Sequence, residues 1–238
     1  MSNDMDGAAT AGPQPATPVG VNTTEVNPGS GLTRINNFLS VNANFRGGAR
    51  TAVGDLNGDG IPDLAIAAGF GGGPAVLVIN GTKVPTTTGF TPPDDLIGNF
   101  FAFNSTLRDG AYLAIGDVLG NGQQDLILGP GAGGPAEVEV LSGEQIVNQG
   151  ALAAIANPVA NFVPTGLGPD GSGLRVAVAA TGVGDDVNVV VGAGRNMPGL
   201  VKVYPGSGFT SGSTSEPTGG QLITPFGGGA LTDGIFVG

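Results

Sequence analysis

The sequence predicts an all-β fold built from copies of a four-stranded unit that repeats about every 62 residues. Glycine contributes 46 and proline 18 of the 238 residues, a density that breaks helices. One segment of the chain recurs at a fixed spacing, which is typical of repeat architectures. Short runs rich in Val, Ile, Phe and Ala stand between turn residues, as strands do.

The repeat is visible without any gap in the alignment. The dipeptide Asn-Phe occurs at 37–38, 99–100 and 161–162, so both spacings are 62 residues. Residues 35–69 and residues 97–131 agree at 15 of 35 positions, where chance would give only a few. A third copy is fainter, and it retains mainly the apolar character of the strands.

Each period contains four predicted strands. In the first copy they are RTAVG (50–54), DLAIAAG (63–69), PAVLVIN (74–80) and IGNFFAF (97–103). The second copy supplies YLAIG, DLILG, AEVEVL and PVANFV, and the third LRVAVAA, NVVVGAG, LVKVYP and QLITPF. Four strands per repeat is the blade of a β-propeller. A β-solenoid is the alternative, although solenoid periods are usually nearer 20–30 residues.

The two ends of the repeat region predict an incomplete propeller. Residues 1–31 have the composition of a flexible linker, and the propeller segment covers residues 32–238. Residues 32–41 resemble a fourth strand, and residues 229–238 resemble a first strand in which Gly238 takes the place of Gly54. We therefore expect three complete blades with a partial blade at each end, and self-association through the open blade edges. The alternative is a three-blade unit that closes by oligomerisation.

Composition excludes several classes of function. The chain has no histidine, cysteine or tryptophan, which removes Ser-His-Asp and Cys-His catalysis and zinc sites built on nitrogen or sulfur. Its net charge of −11 disfavours nucleic acid and anionic membrane surfaces as partners. No apolar run is long enough to insert into a membrane, and the first residues do not form a signal peptide. The acidic balance instead suits hard cations, whose ligands are oxygens.

The segment DLNGDGIPDL (55–64) is the candidate metal site. Four side chains in it carry carboxylate or amide oxygens: Asp55, Asn57, Asp59 and Asp63. Gly58 and Gly60 permit a tight curl because glycine adopts positive φ without steric cost. Ile61 can add its carbonyl oxygen, and Pro62 after it has no N–H that needs a partner. Calcium takes six to eight such oxygens.

Two alternatives to a calcium site exist for this loop. An EF-hand needs a bidentate glutamate at position 12 and flanking helices, whereas position 12 here is Ile66 in a predicted strand. An ion-free turn rich in Asp, Asn and Gly is the remaining alternative, since these residues also build ordinary turns. Three carboxylates in one small loop would repel each other without a cation, which favours calcium.

The second copy of the loop, DVLGNGQQD (117–125), predicts a weaker site. It keeps Asp117, Asn121 and Asp125, but Leu119 replaces the ligand at position 3. In the third copy, ATGVGDDVN (180–188), the ligand positions hold alanine and glycine, so we expect no ion there.

These residues resemble the FG-GAP repeat, also called the VCBS-type repeat. The resemblance rests on DLNGDGIPDLAI followed by GFGGGP and an alternating apolar strand, and on FFAF, AIGD and GPGAGGPAEVEVLSG, which are most similar to the bacterial secreted subset. It covers about residues 32–238, strongly in the first two copies. It implies integrin-α-like propeller blades, Ca²⁺ held by Asp55, Asn57, Asp59, the Ile61 carbonyl and Asp63, and an extracellular or cell-surface location with a role in adhesion.

The sequence is compatible with three functions. The first is a non-catalytic, calcium-stabilised propeller segment whose rim loops, such as 81–96 and 205–220, meet a protein partner. A protein is favoured over a glycan because the chain has no tryptophan and only two tyrosines to serve as platforms. The second is a propeller module appended to a secreted hydrolase or other enzyme. The third is a structural spacer with no ligand except calcium.

Overall fold

The computed structural model of the chain describes residues 44–84, 96–180, 187–227 and 229–238, and within them the fold is mostly β. Three four-stranded antiparallel sheets follow one another along the chain. The first contains β1 (Ala49–Gly54), β2 (Asp63–Ala68), β3 (Ala75–Ile79) and β4 (Leu96–Phe101). The second contains β5 (Ala111–Gly116), β6 (Asp125–Pro130), β7 (Val138–Ser142) and β8 (Ala160–Phe162).

The third sheet contains β9 (Leu174–Ala180), β10 (Val187–Ala193), β12 (Val201–Tyr204) and β13 (Gln221–Ile223). A separate two-stranded sheet pairs β11 (Met197–Pro198), which lies between β10 and β12 in the chain, with β14 (Ala230–Leu231), which follows β13. In all three large sheets the strands lie side by side in chain order. All twelve strands predicted for the three repeats are therefore present.

Apolar cores between successive sheets hold this arrangement together. Side chains alternate along each strand, so β2 turns Ala65 and Ala67 toward the second sheet and Ile66 to the opposite face. Leu126 and Leu128 of β6 meet the first sheet in the same core. Ile127 faces the other way, into the core shared with Val189 and Val191 of β10.

The first strands of the sheets also contact each other, β1 with β5 and β5 with β9. Sheets that stack face to face, with their first strands adjacent, are consecutive blades of a β-propeller. The predicted fold class is thus confirmed, and the loops between first and second strands are brought to corresponding places in neighbouring blades.

Two short helices were not predicted. They are α1 (Gly143–Gln149) and α2 (Ala151–Ala156), which connect β7 to β8. The Ser142 hydroxyl caps α1 by accepting from the Gln145 backbone N–H at 3.2 Å, and Gly150, with a φ of 88°, separates the two helices. Ile146 and Ala154 bury their side chains in the core between the first two blades. The Ser-x-x-Gln spacing is a helix start signal that could have revealed α1.

The register of the last segment differs from the prediction, which equated Gly238 with Gly54. An added Cβ at Gly234 would meet the carbonyl oxygen of Ala193 at 2.6 Å, just as one at Gly110 would meet that of Ala68 at 1.8 Å. Ala193 and Ala68 both end the second strand of their sheets, so Gly234 is the counterpart of Gly110. The residues after Gly234 therefore correspond to the start of a first strand.

Several predicted features lie outside the described residues. They are the linker 1–31, the strand 32–41, residues 85–95 of the loop 81–96, and residues 181–186 of the third loop. Across the four described ranges, no helix is long and apolar enough to cross a membrane.

Candidate metal centre

The candidate loop joins β1 to β2, and Asp55 organises its curl. One Asp55 carboxylate oxygen accepts from the backbone N–H of Gly58 at 2.7 Å and of Asp59 at 3.1 Å. The other accepts from the Gly60 N–H at 2.8 Å. Gly58 and Gly60 have φ angles of 74° and 84°, in the left-handed region. The expected role of the two glycines is confirmed.

Asp63 forms the buried base of the loop. Its Oδ2 accepts from the backbone N–H of Leu56 at 2.9 Å and of Asn57 at 3.1 Å, and its Oδ1 accepts from that of Gly81 at 2.8 Å. Burial raises the pKa of Asp63, and the charge of Asp59 adds to this, although the three N–H donors act in the opposite direction. The Asp63 carboxylate therefore stays charged only where hydrogen-bond donors or a cation offset the cost of its burial.

Asn57 links the remaining carboxylates. Its Oδ1 accepts from the Asp59 N–H at 2.9 Å, and its Nδ2 donates to Asp59 Oδ2 at 3.0 Å and to Asp63 Oδ1 at 3.4 Å. Asp59 Oδ1 accepts in turn from the Ile61 N–H at 2.8 Å, and the Ile61 side chain faces solvent. The structure thus joins all the predicted side-chain ligands, Asp55 to Asp63, in one hydrogen-bonded loop.

The chemistry of this donor set fits Ca²⁺, since every candidate ligand is an oxygen. The hydrogen-bond pattern is also that of a turn stabilised by Asx side chains. In the described part of the chain, no three acidic side chains are gathered closely enough to form a metal-binding group. The Asn57 amide donates to two carboxylates and so reduces their repulsion, as a cation would.

The second loop has the same construction with fewer polar groups. Asp117 accepts from the N–H of Asn121 at 3.1 Å and of Gly122 at 2.6 Å, matching the two bonds of Asp55 to Asp59 and Gly60. Asp125 accepts from the Val118 N–H at 3.2 Å. Leu119 stands where the first loop has Asn57. Burial, followed by the charge of Asp117, raises the pKa of Asp125 to about 7.

The glycine-rich runs after β2 and β6 are tight turns, as predicted. Within them, Gly72 N–H donates to Gly69 O at 3.1 Å and Gly134 N–H to Gly131 O at 3.1 Å. These turns also join neighbouring blades, because Gly71 N–H donates to Arg108 O at 2.7 Å and Gly133 N–H donates to Gly171 O at 2.9 Å. Backbone N–H groups that are already bonded to the next blade do not form a cradle for phosphate.

The sequence analysis missed a polar network between the second and third blades. The Lys202 ammonium donates to Glu216 Oε1 at 2.6 Å and to the Thr165 hydroxyl at 2.8 Å, and the Tyr204 hydroxyl donates to the same Glu216 oxygen at 2.6 Å. Lys202 and Tyr204 are buried. These side chains hold the predicted rim loop 205–220 against the preceding blade, and their distance in sequence gave no signal of this.

Three strands of the first blade, β1 to β3, and the Asx-rich loop between the first two lie in residues 47–82, where the family model of the FG-GAP repeat matches. The chain contains an FG-GAP repeat. This repeat is a propeller repeat, and the match spans β1, the candidate loop, β2 and β3. No curated protein matches the sequence.

The FG-GAP match covers the first three strands of the first blade, and the second blade is similar to the first in structure. The second blade repeats its strand order, part of its loop hydrogen-bond pattern and its glycine conformations, with φ angles of 64° and 82° at Gly120 and Gly122. A propeller-like module follows from this, and FG-GAP repeats are typically non-catalytic.

Proposed function

We propose that this chain is a non-catalytic, calcium-stabilised FG-GAP propeller module that displays loops for recognition of a protein partner outside the cell. The observation that carries the calcium part is the loop 55–63, in which four oxygen-bearing side chains share one hydrogen-bonded curl. The second loop keeps the same backbone shape and two of its carboxylates, which supports a common design.

In this proposal, ionic contacts between Ca²⁺ and the carboxylates replace the hydrogen bonds that the Asn57 amide donates to Asp59 and Asp63. The ligands would be Asp55, Asn57, Asp59 and Asp63 with the Ile61 carbonyl, and a weaker second ion would use Asp117, Asn121 and Asp125. The ion would neutralise carboxylates that now face each other across the Asn57 amide. The ion would thereby stabilise the connection between the first two strands of the blade. Extracellular calcium modules bind with dissociation constants of about 10⁻⁴ to 10⁻³ M, and we expect this range here.

The recognition part of the proposal rests on the family resemblance and on the rim loop 205–220. Most of this loop is exposed, while Phe209 and Pro217 are buried and Glu216 ties it to Thr165 at 2.8 Å. A loop that is both exposed and anchored presents a defined surface, which lowers the entropy cost of binding. Adhesion and an extracellular location fit such a surface.

A calcium titration tests the proposal. An ion that binds only the folded state at a hundredfold excess over its dissociation constant stabilises by about 2.7 kcal/mol. For a chain of this size that corresponds to a rise of roughly 5–10 °C in melting temperature. We expect this rise with Ca²⁺ for the wild type and only a small one for Asp59→Ala.

Glu144→Ala is the matched control, because Glu144 is an exposed carboxylate in the first turn of α1 and is not one of the proposed ligands. It should keep the full calcium shift. Equal melting curves in calcium and in chelator for the wild type would contradict the metal assignment and leave the Asx turn as the complete description of the loop.

A further inference from the structure

Four side chains from corresponding positions of successive blades stack on one another. Arg50 and Arg175 are the second residues of β1 and β9, Tyr112 is the second residue of β5, and Phe236 follows at the same distance from Gly234. The Arg50 guanidinium carbon lies 3.8 Å from the Tyr112 ring centre, and that of Arg175 lies 4.9 Å from Tyr112 and 5.1 Å from Phe236. We call these four residues the arginine–aromatic stack.

Arg50 has acceptors around its guanidinium. Its Nη1 donates to the carbonyls of Asp109 at 2.8 Å and Ala111 at 3.3 Å, and its Nη2 donates to the Tyr112 hydroxyl at 3.2 Å. The Asp109 carboxylate stands 4.0 Å away as a counter-charge. The first arginine of the stack is therefore both hydrogen-bonded and paired.

Arg175 repeats only part of this pattern. It is 3% exposed, and its Nη2 donates to the Asp233 carbonyl at 2.5 Å, which corresponds to the bond from Arg50 to the Asp109 carbonyl. Its Nε and Nη1 are buried without a hydrogen-bond partner in the residues that the structure describes. The residue at the position of Tyr112 in the next blade is Phe236, which has no hydroxyl to accept a bond.

Buried donors of a charged group that lack an acceptor are costly and rare in folded proteins. The nearest counter-charge does not remove the cost, because the Asp109 carboxylate is already engaged with the Ala132 N–H at 2.8 Å and stands beside Arg50. Burial lowers the pKa of Arg175, and the neighbouring Tyr112 and Asp109 act in the opposite direction, so the guanidinium remains charged under all ordinary conditions. An anionic acceptor would satisfy the two unpartnered nitrogens of the Arg175 guanidinium.

The cover over Arg175 is the ring of Phe236. Phe236 is 67% exposed, whereas its neighbour Ile235 is buried in the core and donates its N–H to Ala193 O at 3.0 Å. Exposed side chains change rotamer within nanoseconds, so the ring can swing aside. A monoanion is favoured over a phosphate because the chain already carries a net charge of −11.

We propose that Arg175 binds a carboxylate group at the arginine–aromatic stack, in the place that a hydroxyl at position 236 would otherwise fill. The carboxylate belongs either to a free organic acid or to an acidic side chain of a bound peptide, and both present the same planar acceptor. This site is separate from the calcium loops and does not depend on them.

The test follows the Nε–H signal of Arg175 by ¹⁵N NMR of the full chain. Sodium acetate represents a free acid, and an acetylated, amidated Gly-Glu-Gly peptide represents an acidic side chain; sodium chloride at equal ionic strength is the reference. We expect a saturable shift with a carboxylate and none with chloride. Tighter binding of the peptide than of acetate identifies a protein-borne ligand, and the reverse identifies a free acid.

Two variants and a control make the test specific. Phe236→Tyr supplies the missing hydroxyl, so it should weaken carboxylate binding about tenfold, the effect of one hydrogen bond to a charged group. Arg175→Gln should abolish binding, whereas Arg108→Gln, which removes an exposed arginine, should leave it unchanged. Equal shifts in chloride and acetate, or undiminished binding by Phe236→Tyr, would overturn the proposal even if Arg175→Gln does not fold.

Discussion

We expect Glu139 to make the stability of the protein depend on pH. It lies on β7 between Leu128 of β6 and Asn161 of β8, and only 5% of it is exposed. Burial raises the pKa of Glu139 from its usual 4.5 to about 7, and the charge of Glu137 adds to the effect. The substitution that isolates this effect is Glu139→Gln, which keeps the shape of the side chain and removes the titration.

The sign and size of the effect follow from linkage. The folded state holds the Glu139 proton up to about pH 7, whereas the unfolded chain releases it near pH 4.5. Stability from this group is fully present below pH 4.5 and is lost as the pH rises through 7. The pKa difference corresponds to about 3 kcal/mol in the free energy of unfolding. In melting temperature this is roughly 6–12 °C for a chain of this length.

The assay is thermal or urea unfolding of the wild type and Glu139→Gln from about pH 4 to about pH 8. The two proteins should be similarly stable at the acidic end, and the variant should be the more stable one at the basic end. Asp125 titrates in the same window, but it is common to both proteins and cancels in the difference. Glu144→Gln, on the exposed surface of α1, should follow the wild type. Parallel pH profiles for wild type and Glu139→Gln would refute the reasoning.

Three further predictions concern the loops and the blade contacts. Leu119→Asp restores an oxygen at position 3 of the second loop, so calorimetry should show a gain in calcium stoichiometry or affinity, and no gain would mean that the register of that loop is wrong. Glu216→Gln removes the counter-charge of buried Lys202 and should cost about 2 kcal/mol in urea unfolding, a value discounted for partial exposure of the pair; no change would show that the network is dispensable. Gly110→Ala places a Cβ 1.8 Å from the Ala68 carbonyl oxygen and should cost at least about 3 kcal/mol, whereas Gly122→Ala, which also has positive φ but open space around it, should cost only about 1 kcal/mol. Equal costs for the two glycine substitutions would contradict the close approach of the blades.

The strands could be predicted because their signals are local. Val, Ile and Ala runs between glycine, proline and Asx residues mark β1 to β3 within one period, and the 62-residue spacing transfers the assignment to the next. The helices α1 and α2 were missed because a comparison of the repeats identifies only the strands that the copies share. It contains no information about the helical connection between β7 and β8. Local capping at Ser142 and the apolar spacing of Ile146 and Ala154 stabilise them against the blade core.

The candidate site was predictable to a similar degree. Residue type and spacing identify Asp55, Asn57, Asp59 and Asp63 as one loop, and the structure joins them by hydrogen bonds. Spacing does not reveal that the Asn57 amide nitrogen, as well as its oxygen, engages the carboxylates. That choice depends on the positions of the backbone N–H groups around each oxygen, which only the folded loop defines.

The sequence by itself determined the repeat, the four strands of each blade and the oxygen-rich turn between the first two strands, because each depends on residues close together in the chain. The tertiary structure alone decided which distant side chains meet. Arg50 lies beside Tyr112 and Lys202 beside Thr165 only because consecutive blades stack face to face. The unpartnered nitrogens of Arg175 arise in the same way, from the identity of a residue in the next blade. Local patterns encode each blade, whereas burial and pairing between blades depend on how the sheets pack.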